Sequence, residues 1–133
     1  MPNLSFADST IAFYDAKYFY QLWRPVTAIR QTDPTWTPQA ATALDPLYPS
    51  AHGVISGDGA AVLSAFFGNQ DHISLTSAVL PGGVRTFTSY SDVATEAGLS
   101  RIYAGQHTRI DIQAGSQLGQ NVAQFVISDL GLE

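Results

Sequence analysis

The sequence predicts an all-α fold, a helical bundle of about four helices with long loops. Three observations predict it. Apolar residues recur at roughly helical spacing near both ends of the chain. Ser and Thr stand where helices should start, with Gly or Pro where they should stop. Only Val84 to Thr88 reads as a strand. With 133 residues, 45% apolar and 13% charged, the chain can bury one core, so residues 1–133 are taken as a single domain. The same balance excludes a disordered charged tail.

The first helix is expected over Ser5–Trp23, where Phe6, Ile11, Phe13, Phe19 and Leu22 recur, and Pro25 ends it. Arg30 to Pro49 holds four prolines and reads as a loop, long enough to mark either a binding loop or a packed irregular segment. Ser50 is a good N-cap for a second helix running to Phe67, with Gly68-Asn69 as the stop. Gly57 and Gly59 lie inside it, which close packing of a neighbouring helix would explain. Asn69 to Thr88 reads as irregular, turning at Pro81-Gly82-Gly83. A third helix is expected over Tyr90–Tyr103, capped by Ser89 or Ser91 and broken at Gly105. The fourth should begin at His107 or Thr108 and end near Leu130-Gly131. It carries an apolar stripe (Leu118, Val122, Val126) and a small-residue stripe (Gly115, Gly119, Ala123).

Six basic residues against 11 acidic ones give a net charge of −5, which argues against nucleic acid or anionic membrane as partner. No apolar run approaches the roughly 20 residues of a membrane span. Met1-Pro2-Asn3-Leu4-Ser5 has neither the basic region nor the apolar core of a signal peptide. The chain has no cysteine, so thiol catalysis and thiolate metal sites are excluded and the redox compartment is left open.

With so few cations, each one is informative. Lys17 and Arg24 are seven apart, two turns on one helix face. They are either two solvated side chains or a pair with an anion between them. In Tyr48-Pro49-Ser50-Ala51-His52, a helix start offers free N–H groups, a hydroxyl and a titratable ring. An ordinary Ser cap beside a surface His accounts for it equally. Arg101 is followed by His107 and then Asp111. A carboxylate on one imidazole nitrogen fixes the tautomer and leaves the other free as nucleophile or metal ligand, although surface His–Asp pairs of this kind are common. His72 has no partner in the sequence and is taken as surface.

In order and internal spacing, these three pieces resemble the signature of one superfamily. It joins type 2 phosphatidic acid phosphatases, bacterial class A acid phosphatases and vanadium-dependent haloperoxidases. The pieces are Lys17, six residues, Arg24-Pro25; Pro49-Ser50-Ala51-His52; and Ser100-Arg101, five residues, His107, three residues, Asp111. Trp23 to Arg30, Asp33 to Pro38 and Ser100 to Gly105 resemble the bacterial haloperoxidase-like branch in particular. The resemblance covers nearly the whole chain, but only the C-terminal, motif-bearing part of those much longer relatives. Ala51 stands where the motif usually has Gly; its N–H is kept, which suffices unless the position needs φ > 0.

The resemblance implies an oxyanion site for a small-molecule substrate or cofactor. Lys17, Arg24, Ser50, Ala51 and Arg101 would bind phosphate or vanadate. His52, His107 and Asp111 would be the catalytic residues. In a haloperoxidase His107 would coordinate the vanadium of a vanadate cofactor, Lys17 would polarise peroxide, His52 would assist proton transfer, and a halide would be oxidised. In an acid phosphatase, with no cofactor, His107 would form a phosphohistidine and His52 would protonate the leaving oxygen. An inactive oxyanion-binding module is the non-enzymatic alternative. Because helices that cover this part in longer relatives lie outside the resemblance, a homodimer or higher homo-oligomer is expected to cover the apolar faces.

Overall fold

Facing glycines set the centre of the molecule. In the computed structural model, which describes residues 2–131, helix α3 (Ala51–Phe67) lies against helix α5 (Arg109–Asp129). A Cβ placed on Gly119 would fall 2.0 Å from the Val54 carbonyl oxygen, and one on Gly57 would fall 2.6 Å from that of Ser116. Gly53 and Gly115 are equally hemmed in by backbone. The two backbones therefore pack almost directly on each other. Asp111, Gly115, Gly119, Ala123 and Val126 form the buried line of α5. The small-residue stripe is thus the packing face, with Leu118 and Val122 half-buried on its flank. Gly59 instead faces the Phe6 ring.

Helix α1 (Pro2–Tyr20) packs on both α3 and α5, and α4 (Tyr90–Tyr103) packs mainly on α3. The short α2 (Pro25–Ile29) starts the long irregular segment that leads to Ser50. Four long helices match the predicted bundle, with helix starts at Ser50 and Ser89 as their capping side chains dictate. No helix among the described residues is long and apolar enough to cross a membrane. The Met1 end of the N-terminal reading lies outside the described residues.

Three expectations are corrected. The fold is not purely helical: β1 (Gln70–Ser77) and β2 (Leu80–Ser89) form an antiparallel hairpin where an irregular segment was expected. Ile73 and Leu75 alternate with polar residues along β1, and Val84 to Thr88 lies within β2. Pro81-Gly82-Gly83 is not the turn. Thr76 pairs with Val84 and Ser77 with Leu80, so those three residues bulge out of the ladder and Ala78-Val79 makes the turn.

Second, α1 ends at Tyr20, not Trp23. Gln21 takes a positive φ of 49°, and residues 21–24 run on as an irregular link. Third, α1 buries Ser5, Ser9, Phe13 and Lys17, whereas its Ile11 and Phe19, and Leu22 beyond its end, are exposed. Buried Asp58 on α3 accepts hydrogen bonds from the Ser5 and Ser9 hydroxyls, both at 2.6 Å. A buried carboxylate needs such donors, and that need outweighs the burial of one more apolar side chain. Even so bonded, burial holds the Asp58 carboxyl above its ordinary pKa.

Candidate functional site

Lys17 leaves the last turns of α1 and is wholly buried. Its ammonium reaches Asp45 Oδ2 at 2.9 Å and donates to the carbonyls of Pro46 and, at 3.3 Å, Leu47. Arg24 approaches the same place from the N-cap of α2, outside the first helix. The expected two-turn spacing on one helix is therefore not what joins the two cations. The chain breaks at Gln21 and folds Arg24 back, so that Arg24 Nη2 meets Asp45 Oδ1 at 2.9 Å and Nε meets the Asp45 carbonyl at 3.0 Å. An anion does lie between the two, and it is the chain's own Asp45.

His107 precedes α5 and lies outside it, since Thr108 is the N-cap. Asp111 is the third residue of the helix and closes the capping box with Thr108, accepting from its N–H at 2.7 Å. Its other oxygen bonds His107 Nδ1. The His107–Asp111 contact thus arises from cap geometry, not from one helical turn. On the other side of the ring, Arg24 Nη1 lies 2.8 Å from His107 Nε2. A guanidinium only donates, so Nε2 accepts and Nδ1 carries the proton. Burial holds the His107 imidazole below its ordinary pKa, and the Arg24 and Lys17 charges add to this against the pull of Asp111. Burial alone would raise Asp111, but the hydrogen bonds from His107 and Thr108 hold it below the usual carboxylate value.

Ser50 ties the start of α3 to this point: its N–H donates to the Asp111 carbonyl at 3.0 Å. Its hydroxyl accepts from the Gly53 N–H at 3.3 Å and remains able to donate its own proton. Ala51 opens α3 with ordinary negative φ, so the position does not require glycine, and its N–H belongs to the first-turn groups without a partner inside the helix. His52 follows on an exposed part of that turn. Partial burial and the Arg101, His107 and Arg24 charges hold its pKa below the ordinary value.

Arg101 enters through Gln106. Its Nη2 bonds Gln106 Oε1, while the Gln106 carbonyl accepts from Arg24 Nη1 at 3.2 Å. Arg101 Nε is buried without any hydrogen-bond partner. All the predicted site residues therefore gather around one point, from α1, the α2 start, α3, α4 and the α5 cap. His72 and Arg85, by contrast, are exposed on the hairpin. Sequence reasoning missed Asp45 and Gln106. Asp45 stands among prolines late in the long loop, where nothing in the local pattern sets it apart. Gln106 sits directly before His107 and gave no separate signal.

The donor set suits a tetrahedral or trigonal-bipyramidal oxyanion: two guanidinium groups, an ammonium, a hydroxyl and helix N–H groups, with one buried Arg101 N–H still unpaired. Among the described residues no group of three or more His, Cys, Asp or Glu is placed to hold a bare metal ion.

Residues 31–130 match the family model of the VCPO second helical-bundle domain. The structure superposes on that of a bacterial vanadium-dependent iodoperoxidase with a TM-score of 0.90 and 36% identity, covering 96% of this chain and 32% of the other. A holo-type bacterial vanadium-dependent chloroperoxidase shares the fold at TM-score 0.80 and 16% identity, over 94% of this chain and 33% of that one. The chain spans about a third of the length of these relatives. No curated protein matches it. The chain belongs to the family of the VCPO second helical-bundle domain, within the vanadium haloperoxidase-like superfamily.

Proposed function

We propose that this chain carries a vanadate-binding site of the haloperoxidase type, and that the activity it supports is peroxide-dependent halide oxidation. The observation that carries the proposal is the His107 ring: Nδ1–H fixed on Asp111, and the Nε2 lone pair directed at Arg24 2.8 Å away. A site that only held anions would gain more from a cationic imidazole. A neutral ring with one nitrogen locked suits a ligand or nucleophile.

Vanadate, when bound, supplies a Lewis-acidic centre that activates hydrogen peroxide toward halide. Lys17, Arg24, Arg101, the Ser50 hydroxyl and the Ala51 N–H would hold the oxyanion's oxygens. His107 would offer Nε2, with Asp111 keeping the proton on Nδ1. His52, largely neutral and in contact with solvent, would move a proton to or from the oxygen at the open side. The solvent exposure of His52 favours a second reading. In its protonated form it could give a proton to a leaving alcohol while His107 attacks phosphorus, and the neutral ring left behind could take one from the water that releases phosphate, which is acid phosphatase chemistry at the same residues.

A paired assay on one preparation separates the two. Halide-dependent peroxide consumption with vanadate present, and no hydrolysis of p-nitrophenyl phosphate without it, is the expected result. Hydrolysis alone supports the phosphatase. Neither activity, with phosphate still bound, leaves the inactive oxyanion-binding module.

The proposal extends to assembly as a homodimer or higher homo-oligomer. Phe19 and Trp23 at and just beyond the end of α1, and Ile110 and Phe125 on α5, are each more than 60% exposed, large apolar side chains that a second copy of the chain would cover. Light scattering at micromolar concentration is expected to give at least a dimer mass. A clean monomer mass would contradict it.

A further inference from the structure

Counting donors at the cradle leads to Asp45. Lys17 has three N–H groups, and Asp45, Pro46 and Leu47 take them. Arg24 gives Nη2 to the same carboxylate and Nη1 to Gln106 and His107. An incoming oxyanion would need these N–H groups, so it and the Asp45 carboxylate cannot both be fully bonded. We infer that Asp45 is an internal counter-ion that fills the cradle in the unliganded chain, and that it sets the site's oxyanion affinity by having to move aside. The inference rests on the oxyanion reading above.

The geometry supports displacement. Backbone carbonyls of residues 45, 46 and 47 hold Arg24 and Lys17 independently of the carboxylate, so the cations stay in place when it leaves. The Asp45 side chain is 20% exposed, and neighbouring Leu44 is fully in solvent, so the carboxylate has an outward path. Without any anion, two buried cations this close would carry a large desolvation and repulsion cost. The carboxylate relieves it until an oxyanion does so instead. Charge exchange of this kind costs affinity, because apparent binding falls by the fraction of molecules with the cradle open.

The test is phosphate binding by calorimetry on the full chain, wild type beside Asp45→Asn. The variant is expected to bind inorganic phosphate about tenfold or more tightly, and to melt at a lower temperature without phosphate than with it. Equal or weaker binding by the variant, with wild type binding normally, would overturn the inference and leave the oxyanion site standing. If neither protein binds phosphate, the site reading fails and Asp45's role with it. A second measurement needs no variant. In wild type, the carboxyl carbon signal of Asp45 should shift as phosphate saturates the site. A signal that stays put while phosphate binds would also overturn it.

Discussion

His107→Ala is expected to abolish turnover while leaving the chain folded and able to bind phosphate. Removing the ring deletes the nitrogen lone pair that would act as ligand or nucleophile. The fold should survive the change. Arg24 Nη1 still meets the Gln106 carbonyl, and Asp111 still caps α5 through both Thr108 bonds. Asp111→Asn probes the same device more gently. It keeps the size of the side chain but lets the ring change tautomer, and orienting carboxylates in such dyads are worth roughly 10²–10⁴ in rate. Wild-type activity should also fall as pH drops through the His107 titration. Because burial sets that pKa below the ordinary imidazole value, the loss should set in at lower pH than the titration of a free imidazole. Circular dichroism, calorimetry and rates on the three proteins check this together. Equal rates for His107→Ala and wild type would remove His107 from the chemistry.

Gly119→Ala is expected to be the most damaging single methyl in the molecule. Its Cβ would lie 2.0 Å from the Val54 carbonyl oxygen and 2.8 Å from the Asp58 nitrogen, both backbone atoms of α3 that cannot rotate away. Overpacking of side chains costs about 1–3 kcal/mol, and here two helices must separate, so a loss of about 3 kcal/mol or more is expected. The gain in helix propensity, about 1 kcal/mol, offsets only part. Separation would also pull the Ser50 N–H from the Asp111 carbonyl and open the site, so phosphate binding should weaken in the same variant. Gly59→Ala is the control. Its Cβ meets only the Phe6 ring at 3.3 Å, a side chain that can shift, so stability should change by less than about 1 kcal/mol. Urea unfolding midpoints measure both. A Gly119→Ala protein as stable as wild type would contradict the packing described for α3 and α5.

These two effects trace back to features that a reader of the sequence could see. Ser50 and Ser89 cap the helices that they announce, and the Gly115–Gly119–Ala123 stripe marks the contact face of α5. Other features were hidden because local pattern does not encode them. The alternation around Ile73 and Leu75 is short, and turn-forming Pro81-Gly82-Gly83 serves a bulge instead of a turn. The aromatic spacing of α1 suggested the wrong buried face, since a buried carboxylate 49 residues beyond Ser9 decides which side turns inward. The site shows the same division. Residue types and spacings pointed to Lys17, Arg24, Ser50, Arg101, His107 and Asp111. The contact that neutralises the first two depends on how a 20-residue irregular segment returns, and Asp45 emerges only from that path.

One oxyanion site per chain, shared by vanadate and phosphate, is what Arg24, Arg101 and His107 are proposed to build. Calorimetric titration of vanadate into the chain, repeated in saturating phosphate, tests it most directly. A single vanadate per chain is expected, displaced by phosphate, with no binding to a folded Arg24→Ala/Arg101→Ala double variant. Folded wild-type protein that shows no saturable vanadate binding, or binding that phosphate leaves untouched, would contradict it.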